Sequence, residues 1–176
     1  RKSSGVFIIN LFSTSENSGE DIVGNLICGY MQSRMLNTRF ITYGEDFNTD
    51  STQYLLAKNI TDFYTLQGED ILIVAYPPLS SSNIPTALLN DANANILVSP
   101  ADRGWKTIDK QLCEQLTTQM GKTDVPFCVC LTNAKREAVE DFTGQLPPYT
   151  LLRSVSYRYS QLSLTERIVF SLSREA

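Results

Sequence analysis

Residues 7–26 read FIINLFSTSENSGEDIVGNL, and the changes of composition within this stretch decide the fold. Residues 6–12 form an apolar run with one polar residue, Asn10, as expected for a strand covered by helices on both faces. A Ser/Thr-rich loop follows. Ser18 is the expected N-cap of a helix, and Asp21, three residues on, completes something close to a capping box. Ile22, Val23, Leu26, Ile27, Tyr30 and Met31 then form one apolar face at helical spacing, which core packing accounts for.

Outward from this stretch the pattern repeats. Short apolar runs at residues 40–43, 71–75, 96–99 and 127–131 predict further strands. A helix is expected after Gly104 with Trp105, Ile108, Leu112, Leu116 and Met120 on its buried side, and a last one from about Leu162 through Leu164, Ile168 and Leu172. Residues 49–67 read as short helix and loop, and residues 79–85 and 144–150 as loops. Alternating strand and helix predict an α/β fold, a three-layer sandwich with a mostly parallel sheet of about five to seven strands. Residues 1–176 are expected to form one domain, and the opening at Arg1 suggests a fragment of a longer chain.

With 42% hydrophobic and 19% charged residues the chain has an ordinary globular composition, and no apolar run approaches membrane-spanning length. The net charge of −4 argues against non-specific nucleic-acid binding. No histidine is present, which removes the usual general base of Ser and Cys hydrolases and the commonest ligand of catalytic zinc. Cys28, Cys113, Cys128 and Cys130 lie in apolar segments and read as reduced core residues. Cys128 and Cys130 are taken to face opposite sides of their strand, so no shared metal is expected.

Three stations resemble the P-loop ATPase group of ParA and MinD, and most nearly the cytoplasmic tyrosine-kinase domains attached to bacterial exopolysaccharide chain-length regulators. The first is residues 7–26, with Asn25-Leu26 where the family usually has Asn-Leu-Ala. RFITYGED at residues 39–46 is similar to the strand that ends in two aspartates, and EDILIVAYPPL at 69–79 to the Walker B strand. NANILVSPADRGWKTIDKQL and VPFCVCLTNAKRE follow the later strands. The resemblance covers about residues 6–137 and implies a P-loop NTPase-like fold.

It also implies that the chemistry is lost. Counted back from Asn25, the family's Gly-Lys-Ser/Thr falls on Ser18, Gly19 and Glu20, its opening Gly or Ala on Ser13, and its extra lysine on Thr14. The first aspartate of the second strand falls on Gly44, with Asp46 matching the second, and the Walker B aspartate falls on Ala75. A P-loop holds phosphate through backbone N–H groups, a lysine and a Mg²⁺-binding hydroxyl. Here Glu20 and Asp21 take the first helical turn, where they suit the helix dipole themselves. A phosphate at about 5 Å from either would meet roughly 3 kcal/mol of repulsion per charge pair at an effective dielectric near 20. No catalytic residue, cofactor or metal is nominated. The cleft is expected along residues 13–21, Asp46, Tyr76 and Asp102.

Glu45, Asp46, Glu69, Asp70 and Asp102 lie near predicted strand ends, where α/β proteins place their sites. A metal on Asp46 and Asp102 is the sharper reading, and solvated acids the preferred one. Arg103 and Lys106 offer contacts to an anion or an acidic partner. The preferred reading has Asp102 capping the following helix and Trp105 anchoring it in the core. Tyr149, Tyr157 and Tyr159 are read as packing or interface residues. The implied function is a non-catalytic cytoplasmic domain of an exopolysaccharide chain-length or export regulator. It would act through protein partners or self-association, with a membrane reached only through a missing part of the chain and no nucleic acid. Alternatives are a phosphoryl-transfer enzyme using Arg103 and Lys106, and a soluble partition-type regulator.

Overall fold

Strand β1 (Phe7–Ser13) lies at the middle of a five-stranded sheet, and its residues after Phe7 are all buried, as its apolar run requires. The structure, a computed structural model, describes residues 5–121, 123–147 and 150–161. The chain forms two compact units, Arg1–Thr132 and Asn133–Ala176.

In the first unit β1 is followed by α1 (Glu20–Ser33), β2 (Thr38–Thr42), α2 (Thr52–Leu55), a 3₁₀ turn (Ile60–Asp62) and β3 (Ile71–Ala75). Then come α3 (Thr86–Asp91), β4 (Ala94–Pro100), α4 (Thr107–Met120) and β5 (Phe127–Thr132). All pairings are parallel, in the order β2-β3-β1-β4-β5, with Asn10 opposite Val74 on one side and Asn95 on the other. The chain turns to opposite sides of β1 to place β3 and β4, so a crevice opens beyond the strand ends there, the usual ligand position in such sheets.

The two sheet faces bury separate cores. Val23 of α1 packs with Ile9, Leu11, Ile71, Ile73 and Val98 on one face. On the other, Ile8, Phe12, Leu72, Val74 and Leu97 meet Leu88 and Leu89 of α3, Leu116 and Met120 of α4, and Tyr54, Ile60 and Tyr64 from the β2–β3 connection. A polar link crosses this second core: Asn10 Nδ2 donates to Asn95 Oδ1 at 2.9 Å and to Leu88 O at 3.2 Å, while Asn95 Nδ2 donates to Leu89 O at 2.9 Å. These three bonds offset the cost of burying the two amides, while Asn10 Oδ1 is buried without a hydrogen-bond partner.

Helix α1 departs from expectation in two ways. Its N-cap is Gly19, in the left-handed region at φ 94°, and Ser18 makes no cap bond. A Cβ at residue 19 would also come 3.1 Å from Thr132 Cγ2, so glycine answers both demands. Second, only Val23, with Ile27, Cys28 and Met31 partly, joins the core, and Ile22, Leu26 and Tyr30 remain 61%, 68% and 57% exposed. The predicted apolar arc is wider than the sheet can cover. Gly24 sits against Phe40, where a Cβ would come within 2.4 Å of the ring.

Helix α4 buries Leu116 and Met120 but leaves Ile108 half exposed. Asp102 does not cap it: the N-cap is Lys106, whose N–H donates to Asp109. Trp105 is half exposed and donates from Nε1 to Ser99 Oγ at 2.9 Å, so it anchors the junction by a polar bond rather than by full burial. Cys128 is exposed, and it shares a face of β5 with Cys130, their strand partners being Ile96 and Val98. Strand side chains alternate with a period of two, so residues two apart face the same way.

In the second unit α5 (Arg136–Thr143) precedes α6 (Leu151–Gln161). Glu140 holds the two together, accepting from Arg136 Nε at 2.9 Å, Arg153 at 3.0 Å and Leu146 N at 3.0 Å. The helix predicted from Leu162 and Tyr149 lie outside the described residues, and Tyr157 is half-buried.

Candidate functional site

The loop between β1 and α1 occupies the place where a phosphate cradle is expected, and its polar groups are turned on itself. Ser13 Oγ and Ser18 Oγ both donate to Ser15 O at 2.8 Å. Thr132 Oγ1 donates to Ser18 O at 2.7 Å and Leu79 N to Ser13 O at 2.8 Å, fastening the loop to the ends of β5 and β3. Ser13, Thr14 and Ser18 are buried. Hydroxyls whose single hydrogen is already donated within the loop have none left for a phosphate oxygen.

Thr14, the position of the family's extra lysine, is bound in a charged latch. Its Oγ1 donates to Asp109 Oδ1 at 2.6 Å, and Arg103 donates to the same oxygen at 2.7 Å and to Thr14 Oγ1 at 3.3 Å. Lys106 N donates to Asp109 Oδ2 at 2.8 Å. Burial pushes the Asp109 carboxyl up, but the hydrogen bonds from Thr14, Lys106 N and Arg103, with the Arg103 charge, outweigh it and hold it below the ordinary range. Arg103 is thus committed to an internal carboxylate.

Beside the loop lies a cleft of about 400 Å³ lined by Glu16, Asn17, Gly19, Glu20, Asp21 and Ile22, by Thr42 and Tyr43 at the end of β2, and by Ala75, Tyr76 and Pro78 at the end of β3. An adjoining cleft of about 580 Å³ shares Asp21, Thr42 and Tyr43 and adds Asn25, Phe40, Glu45 and Asp46. No Lys or Arg lines either. Tyr43, between them, has its hydroxyl pKa raised first by burial and then by the charges of Glu16, Glu20 and Asp21. The cleft is therefore a negative environment, unfavourable to phosphate.

Of the residues singled out from sequence, Gly19, Glu20, Asp21, Ala75 and Tyr76 meet in the first cleft. Asp46 lines the second, but it also closes the turn after β2, accepting from Thr42 N at 2.9 Å, with Arg39 3.7 Å away. Gly44 supplies the positive φ of that turn, 83°. Asp102 is exposed and lines neither cleft, and Arg103 and Lys106 sit at the head of α4. Among the described residues no group of His, Cys, Asp or Glu is arranged to hold a metal ion. No helix there is long and apolar enough to cross a membrane. Glu16 falls within the expected stretch 13–21 and lines the cleft, whereas sequence reasoning missed Asp109, Thr132 and Tyr43. Asp109 stands three residues after the observed N-cap, Lys106, a signal hidden by the expectation of a cap at Asp102.

No protein-family model matches the chain, and no curated protein matches it. Among solved structures it is similar to the kinase domain of Escherichia coli tyrosine kinase ETK, with a TM-score of 0.52 and 11% identity over 75% of this chain and 69% of that one. It is also similar to a possible uridine kinase from Bacillus stearothermophilus, with a TM-score of 0.40 and 9% identity over 72% and 91% of the two chains. The fold is an α/β sandwich of the P-loop NTPase type. At this level of identity the similarity speaks for the fold alone.

Proposed function

We propose that this chain is a non-catalytic interaction domain built on a P-loop scaffold, a pseudo-ATPase or pseudokinase that works through protein partners or self-association. One observation carries the reading: the β1–α1 loop bonds its hydroxyls to its own carbonyl and faces a cleft with three carboxylates and no basic side chain. Such a surface lacks the cationic contacts that triphosphate binding draws on, and adds repulsion. The absence of a lysine in residues 13–21 supports the same reading.

The resemblance of residues 6–137 to the tyrosine-kinase domains attached to exopolysaccharide chain-length regulators suggests a setting in exopolysaccharide chain-length control or export. There the domain would lie in the cytoplasm, tethered to the inner membrane by another part of the protein. A transmembrane segment in the full-length gene product would favour this setting over a soluble partition-type regulator. The phosphoryl-transfer reading draws no support from Arg103, which is bound to Asp109.

The test is thermal unfolding with and without millimolar ATP, ADP or GTP plus Mg²⁺. A ligand that binds only the folded state at 100 times its Kd adds about 2.7 kcal/mol, a visible shift. No shift is expected. A clear shift with any of the three would refute the reading of residues 18–20 and Ala75 as an inactive site.

A further inference from the structure

The acidic clefts and the exposed side of α1 form one continuous surface. Ile22 lines the first cleft and also begins a stripe with Leu26 and Tyr30, spaced four residues apart on the same helix face. More than half of each side chain in this stripe is exposed. Glu16, Glu20, Asp21 and Glu45 border the clefts, and none is in an ion pair among the described residues. Tyr43, between the clefts, is 42% exposed and offers an aromatic face.

We infer that this surface docks an amphipathic basic segment of a partner protein, whose Lys or Arg side chains enter the carboxylate-lined clefts and whose apolar side chains cover Ile22, Leu26 and Tyr30. The inference rests on the reading of the chain as an interaction domain and names the chemistry of the partner. Charge complementarity selects the occupant. An anionic ligand meets like charge from these four carboxylates, whereas an Arg side chain gains from them and from stacking on Tyr43. A small cation or polyamine would satisfy the acids but leave the apolar stripe in water. A purely apolar segment would cover the stripe and leave the carboxylates without counter-charge. Only a segment with both features matches the whole surface, as an amphipathic helix in a groove does.

The probe is a dye-labelled synthetic helical peptide with a Lys-Arg pair followed by Leu at i, i+4 and i+8, titrated with the whole chain and followed by fluorescence anisotropy. Saturable binding is expected. It should weaken about tenfold or more in Leu26→Asp and in the Glu20→Gln/Asp21→Asn double variant, and fall with added salt. All three positions are exposed or half-exposed, and retention of Trp105 fluorescence would confirm that the variants fold. Lys110→Gln, on exposed α4 surface, should bind as the parent does. A matching peptide with Glu in place of Lys and Arg should not bind. Absence of saturable binding, or binding indifferent to Leu26→Asp, would overturn the inference. So would self-association in sedimentation that Leu26→Asp disperses, since a second copy would then be the occupant. A nucleotide shift in the same preparation would sink the proposed function whatever the peptide does, and peptide failure without one would sink only this inference.

Discussion

Replacing Asp109 with Ala tests whether the latch between the β1–α1 loop and α4 is a real source of stability. Three donors lose their acceptor: Thr14 Oγ1, Arg103 and Lys106 N. Loss of the bond at the head of α4 costs about 1 kcal/mol, by analogy with N-cap removal. Removing one member of a fully buried ion pair costs about 3–5 kcal/mol. The side chain of Arg103 is 29% exposed, so water recovers part of that, and its contact with Thr14 remains. A total near 3 kcal/mol follows, or about 6–12 °C in melting temperature for a chain of this size. The single tryptophan, Trp105, lies between Arg103 and the start of α4, so its fluorescence during urea unfolding reports on this region. Asp109→Ala, Arg103→Ala and the double variant close a thermodynamic cycle, which should show coupling of about 1 kcal/mol or more. A loss below about 1 kcal/mol with additive single effects would refute the assignment of the latch.

Gly24→Ala sets helix propensity against packing. Alanine in mid-helix is normally worth about 1 kcal/mol over glycine, but this Cβ would lie 2.4 Å from Phe40 Cε2. A net loss of about 1–3 kcal/mol is expected from chemical denaturation, turning to a gain in a Phe40→Leu background. In the second unit, Glu140 is held below the ordinary carboxyl range by hydrogen bonds from Arg136 and Leu146 N, with the charges of Arg136 and Arg153 adding to them against desolvation. A depressed carboxyl pKa contributes stability that is present above the unfolded value and lost as pH falls through the folded value. Helical signal from α5 and α6 should therefore weaken under acid, below the usual carboxylate range. Glu140→Gln should remove that dependence, and an unchanged acid profile in the variant would count against the assignment.

The strands were legible because burial on both sheet faces leaves continuous apolar runs. Residues 71–75 were read as a strand and form β3 (Ile71–Ala75), buried throughout. The flanking strands were found with ends off by one or two residues, since pairing with a neighbour extends beyond the apolar run. Helix α6 was not anticipated, because LLRSVSYRYSQ carries few strongly apolar residues, although Leu151, Leu152 and Val155 recur at helical spacing.

What the sequence determined by itself is local: the alternation of strands and helices, the Ser/Thr-rich loop without lysine, and the acids in the first turn of α1. These depend on residues a few positions apart, so composition and spacing suffice. Tertiary structure alone decided the strand order and brought Thr14 against Asp109, 95 residues away. It also decided which part of α1 faces the sheet. Six apolar residues at helical spacing describe an arc, and the arc does not say how much of itself a sheet will cover. Packing of Val23 beside Val98, with Gly24 against Phe40, turned Ile22, Leu26 and Tyr30 outward.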